Sequence, residues 1–382
     1  MERDARRVSS LIRRLSAGGS NSSTAAYKTG VSQLGGGYDV TIGVGTPPQT
    51  QTLSIDTGSD LVWVQCKPCD KCYDQIDPVF DPASSTTFFP VPCESEATLL
   101  CQRLDERNRG CDRIANQCNY EYWYAEGSHT KGILATESLT MGNTTFPNMP
   151  IGCGYKNEGF TLLEDGMLGL GAGFVSFVGG KVGGAFSYCL GGMEGWLEIG
   201  RSGFPRNATW VPMISNIKNP GYYYIGLSGL GVGGERVPIP EDTFQINVES
   251  GDGGVIIDTG TTATYLPKAA YEPLRDMFRK KTAYLTRAPP KSSVFDTCYY
   301  SDVATEWLPK VPDVSFFISG GPILNLTSTN SLIRMNKDVV CFSFSVSHNV
   351  AIIGNIQQQG IRITIDGSGG YIGFGPDRCG VS

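Results

Sequence analysis

One short motif occurs twice in this chain, and each copy contains an aspartate that follows a run of apolar residues. Residues 53–59 read Leu-Ser-Ile-Asp-Thr-Gly-Ser and residues 255–261 read Val-Ile-Ile-Asp-Thr-Gly-Thr, which places Asp258 202 residues after Asp56. The apolar residues predict a buried strand, and Thr-Gly permits a sharp turn with a close backbone approach. Two carboxyl groups held in contact cannot both ionise, so they share one proton. Such a pair can activate a water with one oxygen while the remaining carboxylic acid polarises a carbonyl group.

The composition disfavours most other chemistries. Only two histidines are present, His129 and His348. Catalysis by Ser-His or Cys-His pairs and zinc binding by histidine are therefore disfavoured. The chain carries 31 basic and 37 acidic residues, a net charge of −6, whereas nucleic-acid binders normally have a basic surplus. No apolar run approaches the roughly 18 residues of a membrane-spanning helix. We therefore expect carboxylate catalysis without a metal or cofactor, no nucleic-acid partner and no membrane span.

The elements that position the two aspartates are predicted to be strands. The 382 residues include 49 Gly and 22 Pro, and from Tyr38 onward short apolar runs alternate with Gly and Pro turns. One helix is predicted from Pro267 to Lys281. Each aspartate motif is followed about a hundred residues later by an apolar pair ending in glycine, at Gly169 and Gly354. The sequence therefore predicts a mostly β protein with two lobes of similar build.

Cysteine use points to an oxidising compartment. The twelve cysteines are an even number, and seven lie in a Cys-rich insert at residues 66–118, which predicts disulfides. A metal-thiolate cluster at Cys66, Cys69 and Cys72 is the alternative interpretation of that spacing. Sequons for N-glycosylation fit a secreted glycoprotein and occur at Asn21, Asn143, Asn207 and Asn325.

Taken together, these motifs resemble a pepsin-type aspartic protease, and the pattern is closest to the plant nepenthesin-like branch, including the guard-cell proteases. The resemblance runs from about Tyr38 to Cys379. Beside the two aspartate motifs, it rests on residues 63–72 (Trp-Val-Gln-Cys-Lys-Pro-Cys-Asp-Lys-Cys), 165–171 (Asp-Gly-Met-Leu-Gly-Leu-Gly), 186–190 (Phe-Ser-Tyr-Cys-Leu), 295–299 (Phe-Asp-Thr-Cys-Tyr) and 352–358 (Ile-Ile-Gly-Asn-Ile-Gln-Gln).

The resemblance implies a bilobal, pepsin-like fold with the active site between the lobes, and an acid endopeptidase that cleaves protein or peptide substrates. It assigns Asp56 and Asp258 as the catalytic dyad, and it implies inhibition by pepstatin-like compounds and, by default, a monomer. Residues implied to support the dyad are Thr57, Gly58, Ser59, Thr259, Gly260 and Thr261. Thr57 and Thr259 would bond the opposite lobe's backbone, and Ser59 and Thr261 would bond the carboxylates.

The resemblance also implies a flap, a hairpin over the cleft, that carries Tyr124 hydrogen-bonded toward Trp63. The family usually has Tyr-Gly-Asp-Gly-Ser where this chain has Tyr-Ala-Glu-Gly-Ser at residues 124–128. If the turn needs a positive φ at Ala125, alanine is strained there, and Ala125→Gly is expected to raise kcat/KM two- to tenfold, on the order of 0.4–1.4 kcal/mol. If φ is negative, alanine is harmless.

The same resemblance implies six disulfides and three segments. The disulfides would join Cys66 with Cys69, Cys72 with Cys153, Cys93 with Cys118, Cys101 with Cys111, Cys189 with Cys379, and Cys298 with Cys341. The segments would be a basic pro-segment and Gly/Ser linker at 1–36, an N-terminal lobe at 37–205 and a C-terminal lobe at 206–382. Cys189 would then lie at the end of the N-terminal lobe, and its disulfide would tie that lobe to the C-terminus.

The first twenty residues and the location of the protein leave alternatives open. An organelle transit peptide is the alternative interpretation of these residues, whose interrupted apolar pattern does not fit a signal peptide. We expect a secreted protein of the extracellular space or cell wall, or a vacuolar one, with its export signal upstream.

A second function from another class fits the same fold. Relatives in this plant group act as inhibitors of microbial xylanases and use the fold as a binding scaffold, typically without an intact dyad. This chain retains both aspartates and both Thr-Gly turns. The sequence therefore favours a peptidase over a catalytically silent binding protein.

Overall fold

The structure is a computed structural model that describes residues 27–34, 36–93, 99–104, 107, 109–160, 163–179, 182–290, 292–301, 308–375 and 379. These residues divide into two compact units. The N-terminal unit comprises the described residues from 27 to 188 together with 193–203, and the C-terminal unit comprises 189–192 and the described residues from 204 onward. In the part of the chain that the structure describes, no helix is long and apolar enough to span a membrane.

Strands build the N-terminal unit. They are β1 (Tyr27–Leu34), β2 (Gly37–Val44), β3 (Gln49–Asp56), β4 (Trp63–Gln65), β5 (Phe89–Pro90), β6 (Arg109–Asp112), β7 (Gln117–Trp123), β8 (His129–Met141), β9 (Thr144–Glu158), β10 (Gly166–Gly169), β11 (Ala185–Leu190), whose end belongs to the C-terminal unit, and β12 (Glu194–Ile199). A 3-10 helix at Pro82–Ser84 and a short helix α1 (Leu100–Arg103) interrupt them. Apart from β11, which pairs with β12, these strands follow one another in the sheet in the order β12-β1-β2-β3-β10-β4-β9-β8-β7-β6, with β5 paired to β8.

The C-terminal unit is also made mainly of strands. They are β13 (Thr209–Pro212), β14 (Tyr224–Ile225), β15 (Leu227–Val232), β16 (Glu235–Arg236), β17 (Val255–Ile257), β18 (Thr264–Pro267), β19 (Arg287–Ala288), β20 (Cys298–Tyr300), β21 (Val314–Ile318), β22 (Ile323–Leu326), β23 (Leu332–Asn336), β24 (Val339–Phe342), β25 (Phe344–Ser347), β26 (Ala351–Ile353), β27 (Arg362–Asp366) and β28 (Tyr371–Phe374). Its helices are α2 (Lys268–Lys281), α3 (Ser328–Ser331) and α4 (Asn355–Gln358). The predicted helix is confirmed as α2, with Pro267 at its N-cap.

Both units contain the same arrangement of five strands. In the N-terminal unit the order is β2-β3-β10-β4-β9, and in the C-terminal unit it is β14-β17-β26-β18-β25. In each set the second strand, which leads to the aspartate, runs parallel to the third and antiparallel to the first, and the last two strands run parallel. The third and fourth strands are antiparallel. The internal repeat in the sequence is therefore a repeat of sheet topology, and the prediction of a mostly β protein with two units of similar build is confirmed.

The predicted linker is wrong at its C-terminal end. Residues 27–34 form strand β1, which pairs antiparallel with β12 from Tyr27 opposite Ile199 to Ser32 opposite Glu194, and then with β2. The Gly- and Ser-rich composition hid this strand, because its partners come from distant parts of the chain. The rest of the predicted pro-segment, residues 1–26, lies outside the described residues.

All twelve cysteines form disulfides, so the thiolate-cluster interpretation of Cys66, Cys69 and Cys72 is wrong. Their predicted partners are also wrong, because Cys66 joins Cys153 and Cys69 joins Cys72. The physical reason is the parallel pairing of β4 and β9, which continues into a hydrogen bond of 3.0 Å from the N–H of Cys66 to the carbonyl oxygen of Gly154, the residue next to Cys153. The Cα atoms of Cys66 and Cys153 lie 5.3 Å apart.

The pairing within the Cys-rich insert also differs from the prediction. Cys101 joins Cys118, and both are buried in the core; Cys93 joins Cys111, and both lie nearer the surface. The two buried cysteines therefore pair with each other, as do the two nearer the surface. The spacing of the four residues in the sequence does not predict their burial.

The last two predicted disulfides are present, but Cys189 does not lie in the unit that the sequence predicts. Cys189 joins Cys379, and Cys298 joins Cys341. The predicted N-terminal lobe at 37–205 includes Cys189. The structure instead groups residues 189–192 with the C-terminal unit. The physical reason is the set of bonds at the end of β11: the disulfide fixes Cys189 to Cys379, and the N–H of Gly360 donates to the carbonyl oxygen of Leu190 at 2.7 Å. The Cys189–Cys379 disulfide therefore joins two residues of the C-terminal unit.

Candidate active site

The first aspartate motif forms a hydrogen-bonded loop at the end of β3. Asp56 is 5% exposed, and its Oδ1 accepts a hydrogen bond of 2.8 Å from the N–H of Gly58. Its Oδ2 accepts a hydrogen bond from the hydroxyl of Ser59. The backbone amide and the hydroxyl fix both oxygens of the carboxylate from within its own motif.

The second motif repeats this geometry in the C-terminal unit. Asp258 is 8% exposed; the N–H of Gly260 donates to its Oδ1 at 2.9 Å, and the hydroxyl of Thr261 donates to its Oδ2 at 2.5 Å. The N–H of Asp258 donates to the carbonyl oxygen of Ile353 at 3.1 Å. The two loops therefore present their carboxylates with the same set of donors, atom for atom.

The glycine that ends each later apolar pair has a steric reason. In β10, Gly169 lies opposite Asp56, and a Cβ on Gly169 would come within 2.3 Å of the carbonyl oxygen of Asp60. After β26, a Cβ on Gly354 would come within 2.3 Å of the carbonyl oxygen of Ala263. Both distances are far below van der Waals contact, so any side chain would push the strand away from the aspartate loop. The spacing in the sequence identifies these two glycines, and the close approach of the backbone explains why glycine is needed there.

The threonines that follow the aspartates are almost fully buried, Thr57 at 1% and Thr259 at 0% exposed. The predicted bonds of their hydroxyls to the opposite lobe stay a prediction.

The hairpin formed by β7 and β8 carries the predicted flap tyrosine. The indole N–H of Trp63, which is fully buried, donates a hydrogen bond of 2.7 Å to the hydroxyl oxygen of Tyr124, as predicted. Burial and the nearby Asp56 carboxylate raise the pKa of Tyr124 well above its usual range, against the opposite effect of the Trp63 and Ser59 contacts. Tyr124 therefore keeps its proton and sits within reach of the Ser59 side chain that holds Asp56.

The flap turn does not strain Ala125. The N–H of Gly127 donates to the carbonyl oxygen of Tyr124 at 3.0 Å and closes the turn, with Gly127 at φ +94°. Ala125 has no positive φ; within the described chain, the non-glycine residues that do are Leu99, Asn116 and Asn148. The strained interpretation of Ala125 is therefore wrong, because the left-handed position in this turn falls two residues later, where the chain keeps a glycine.

Sequence reasoning missed Phe160. Its ring lies 5.2 Å from that of Trp63, 5.4 Å from that of Tyr73 and 5.7 Å from that of Tyr124, measured between centroids. Phe160, Tyr73 and Tyr124 are partly buried and pack on the core of the N-terminal unit, so they form an aromatic wall, and its member Tyr124 lies near Asp56. No spacing rule identifies Phe160, because it follows the end of a strand and comes to this wall only in three dimensions.

A second missed feature is a pair of carboxyl groups behind the Asp56 loop. Asp165, fully buried, accepts hydrogen bonds from the N–H groups of Thr52 at 2.5 Å and Asp77 at 3.0 Å, and its carboxyl group also contacts that of Asp77. Burial raises the pKa of Asp165 to about 6, and the Asp77 carboxyl adds to the rise, while the two N–H groups oppose it. Thr52 belongs to β3, so this pair braces the strand that ends at Asp56.

Both units of the chain match known protein families. Residues 38–201 match the family described as "Xylanase inhibitor N-terminal", and residues 222–376 match "Xylanase inhibitor C-terminal". The chain is 46% identical to Protein ASPARTIC PROTEASE IN GUARD CELL 2 of Arabidopsis thaliana, over 99% of this chain and 82% of that protein. It is 37% identical to Aspartic proteinase nepenthesin-2 of Nepenthes gracilis, over 94% of this chain and 82% of that protein.

Solved structures agree on the fold. The crystal structure of edgp superposes with a TM-score of 0.74 at 20% identity, over 92% of this chain and 94% of that one. Basic 7S globulin from soybean superposes with a TM-score of 0.71 at 18% identity, over 93% and 98% of the respective chains. A bilobal β fold with two matching Asp-Thr-Gly loops defines the aspartic protease class. This chain belongs to the family of plant aspartic proteases that includes the guard-cell and nepenthesin enzymes.

Proposed function

We propose that Asp56 and Asp258 form one catalytic dyad that hydrolyses peptide bonds at acidic pH. With one proton shared between them, the ionised carboxylate removes a proton from a water molecule, whose oxygen attacks the scissile carbonyl carbon. The protonated carboxyl donates to the carbonyl oxygen. Collapse of the tetrahedral intermediate breaks the C–N bond: one carboxyl donates a proton to the leaving nitrogen, while the other carboxylate removes a proton from a hydroxyl of the intermediate, which restores the shared proton of the dyad.

The observation that carries this proposal is the matched set of donors at the two aspartates. At each one, an amide donates to Oδ1 and a hydroxyl to Oδ2, from Gly58 and Ser59 at Asp56 and from their counterparts at Asp258. These donors fix the orientation of each carboxyl group, which a purely structural aspartate at a strand end would not need twice.

The flap and the aromatic wall supply substrate binding in this proposal. Tyr124 lies between Trp63 and the Asp56 loop, and Phe160 extends the apolar surface beside it. An apolar side chain next to the cut bond would bury its surface on these rings, at about 25 cal/mol for each Å² removed from water. Peptide and protein chains with apolar or aromatic residues at that position are therefore the proposed substrates.

The test is digestion of a denatured protein at pH 3–5, with and without pepstatin, by the wild type and by Asp56→Asn and Asp258→Asn. We expect cleavage by the wild type that pepstatin blocks and that both variants lack. Cleavage insensitive to pepstatin and to both substitutions would contradict the proposal.

A xylanase-binding protein is the second candidate, because both halves of the chain match families described as xylanase inhibitors. Both aspartate loops keep their donors in this chain, which favours the peptidase. A pull-down with microbial xylanases decides: a stable complex together with no proteolysis would support the binding role.

We also propose that the protein is a secreted or vacuolar glycoprotein. Disulfides join all twelve cysteines, which fits an oxidising compartment. The sequon asparagines Asn143, Asn207 and Asn325 are exposed, so each could accept a glycan, whereas Asn21 lies outside the described residues. Treatment of the plant-expressed protein with an N-glycosidase should lower its apparent mass; an unchanged mass would contradict the glycoprotein proposal.

A further inference from the structure

The motif at residues 354–358 ends in two adjacent glutamines that the mechanism above does not use. Gln357 and Gln358 belong to α4, which directly follows β26, and each is only 1% exposed. A buried amide is costly unless it is hydrogen-bonded, so the partners of these two side chains indicate what each one holds in place.

The Gln358 side chain holds the backbone of the catalytic residue itself. Its Nε2 donates to the carbonyl oxygen of Asp258 at 3.0 Å and to the carbonyl oxygen of Ile353 at 2.7 Å. The N–H of Asp258 donates to that same Ile353 oxygen. The peptide groups on both sides of Asp258 are therefore tied to one point at the end of β26.

The N-terminal unit achieves the equivalent contact without a side chain. There the backbone N–H of Leu170 donates to the carbonyl oxygen of Asp56 at 2.7 Å. Any residue except proline at position 170 can make that bond. The backbone carbonyl of Asp258, by contrast, is held by a side-chain amide that a single substitution removes.

We propose that Gln358 is a positioning residue for Asp258, an inference that rests on the dyad function proposed above. The carbonyl direction of Asp258 fixes the path of the chain into Gly260 and Thr261, whose N–H and hydroxyl orient the carboxylate. Loss of the amide frees that carbonyl to rotate. The loop then relaxes, and the carboxylate leaves the geometry in which it acts on water and carbonyl.

Gln357 provides a matched control of the same residue type and burial. Its Nε2 donates to the carbonyl oxygen of Asn330 at 2.6 Å and to the hydroxyl of Ser343 at 2.8 Å, and its Oε1 accepts from the hydroxyl of Thr264 at 2.7 Å. These partners lie on α3, before β25 and on β18, so Gln357 braces the unit rather than the aspartate.

The experiment compares Gln358→Leu with Gln357→Leu in the full chain, with thermal midpoints and steady-state kinetics on a peptide substrate. Both variants should lose stability, because each leaves buried partners unpaired. Only Gln358→Leu should lower kcat, by about ten- to hundredfold, with KM within about twofold of the wild type. Equal kcat losses in both variants, or no kcat loss in Gln358→Leu, would overturn the positioning role.

Gln358→Glu gives a second readout that does not depend on the leucine variant folding. A protonated carboxyl can donate to one of the two carbonyls, and an ionised one to neither. At the acidic end of the pH profile we expect a kcat that is lower than that of the wild type but still measurable. As the pH rises, kcat should fall at a lower pH than in the wild type. This fall should be reversible and should leave the near-ultraviolet circular dichroism unchanged. A pH profile that coincides with the wild type overturns the inference alone, whereas a wild type without pepstatin-sensitive cleavage overturns both it and the proposed function.

Discussion

The hydrogen bond from the indole N–H of Trp63 to the hydroxyl oxygen of Tyr124, 2.7 Å long, connects the flap to the strand that follows the first aspartate loop. Tyr124 also lies beside Ser59, whose hydroxyl donates to the Asp56 carboxylate. A chain of polar contacts thus runs from a fully buried tryptophan through the flap to the catalytic group. The position of the flap and the orientation of Asp56 are coupled through these side chains.

Removal of the flap hydroxyl should therefore impair catalysis. Tyr124→Phe leaves the buried Trp63 N–H without this acceptor, and we expect kcat/KM to fall about tenfold, on the order of 1 kcal/mol. A double-mutant cycle with Trp63→Phe should give a coupling energy of about 1 kcal/mol. Tyr122→Phe, also partly buried in β7, is the control. A coupling energy near zero would show that the bond does not contribute to catalysis.

The dyad proposal predicts non-additive losses. Asp56→Asn and Asp258→Asn should each lower kcat by about a thousandfold or more, because either change removes the shared proton. The double variant should be scarcely worse than either single one, since the two groups act as a unit. Kinetics on one substrate at its pH optimum, with circular dichroism as the folding control, measure this. Retention of most of the wild-type kcat by Asp258→Asn would refute the shared dyad.

Local sequence predicted the parts of the site that depend on local geometry. The motif Asp-Thr-Gly-Ser contains its own donors, so Gly58 and Ser59 bond Asp56 as spacing alone requires. The repeat likewise predicted two similar sheets, because apolar runs and turn residues are visible in one dimension. Phe160 and strand β1 escaped prediction, since their partners are distant in the chain.

The disulfides likewise show that local sequence does not predict contacts between distant parts of the chain. Cys298 and Cys341 are directly opposite in the β20–β24 register, and family order was enough to pair them. Cys66 lies three residues from Cys69, yet it joins Cys153, whose Cα the parallel β4–β9 pairing brings within 5.3 Å of its own. Sheet register and burial decide between cysteines of similar spacing, and neither quantity is available before the fold is known.

For Cys189, the predicted disulfide partner is correct, but the predicted structural unit is not. Family order paired it with Cys379, 190 residues away, but position in the chain placed it in the N-terminal lobe. Its long-range bonds, which only the fold reveals, group it with the C-terminal unit.

Ala125→Gly should now leave activity unchanged. Because φ at Ala125 is not positive and Gly127 already occupies the left-handed position, glycine relieves no strain. It adds freedom to the unfolded chain, so we expect a loss of stability of roughly 0.5–1 kcal/mol and kcat/KM within about twofold of the wild type. Thermal unfolding and kinetics test both parts. A rise of two- to tenfold in kcat/KM would contradict this expectation and restore the strained interpretation.

Processing of the N-terminal segment should stop before strand β1. Six consecutive residue pairs, from Tyr27 opposite Ile199 to Ser32 opposite Glu194, join β1 to β12, so cleavage after this strand would strip a paired strand from the sheet. We expect incubation at acidic pH to expose a new N-terminus between residues 17 and 27. N-terminal sequencing of the active form measures it. An active form that began at Tyr38, or one that still began at Met1, would contradict this.

The Asp165–Asp77 pair should make the N-terminal unit less stable as the pH rises toward neutrality. The pKa of Asp165 is raised to about 6, chiefly by burial, from an unfolded value near 3.8, so the folded state holds more protons in this range. The contribution of Asp165 to the free energy of unfolding is therefore fully present below pH 3.8. It is lost as the pH rises through 6, and this loss is on the order of 1–3 kcal/mol. The hydrogen bonds from the N–H groups of Thr52 and Asp77 favour the ionised Asp165 carboxylate and so oppose this loss.

Asp77→Asn should reduce that loss, because it removes the contribution of the Asp77 carboxyl while the burial of Asp165 stays. The asparagine amide can donate to the ionised Asp165 carboxylate, and its oxygen can still accept from the hydroxyl of Thr52, which bonds Asp77 at 2.9 Å. Thermal midpoints measured from pH 4 to 8 should fall less steeply in this variant than in the wild type. Asp74→Asn, three residues away and exposed, is the matched control and should follow the wild-type curve. If Asp77→Asn follows it too, the carboxyl pair is not the source of the neutral-pH instability.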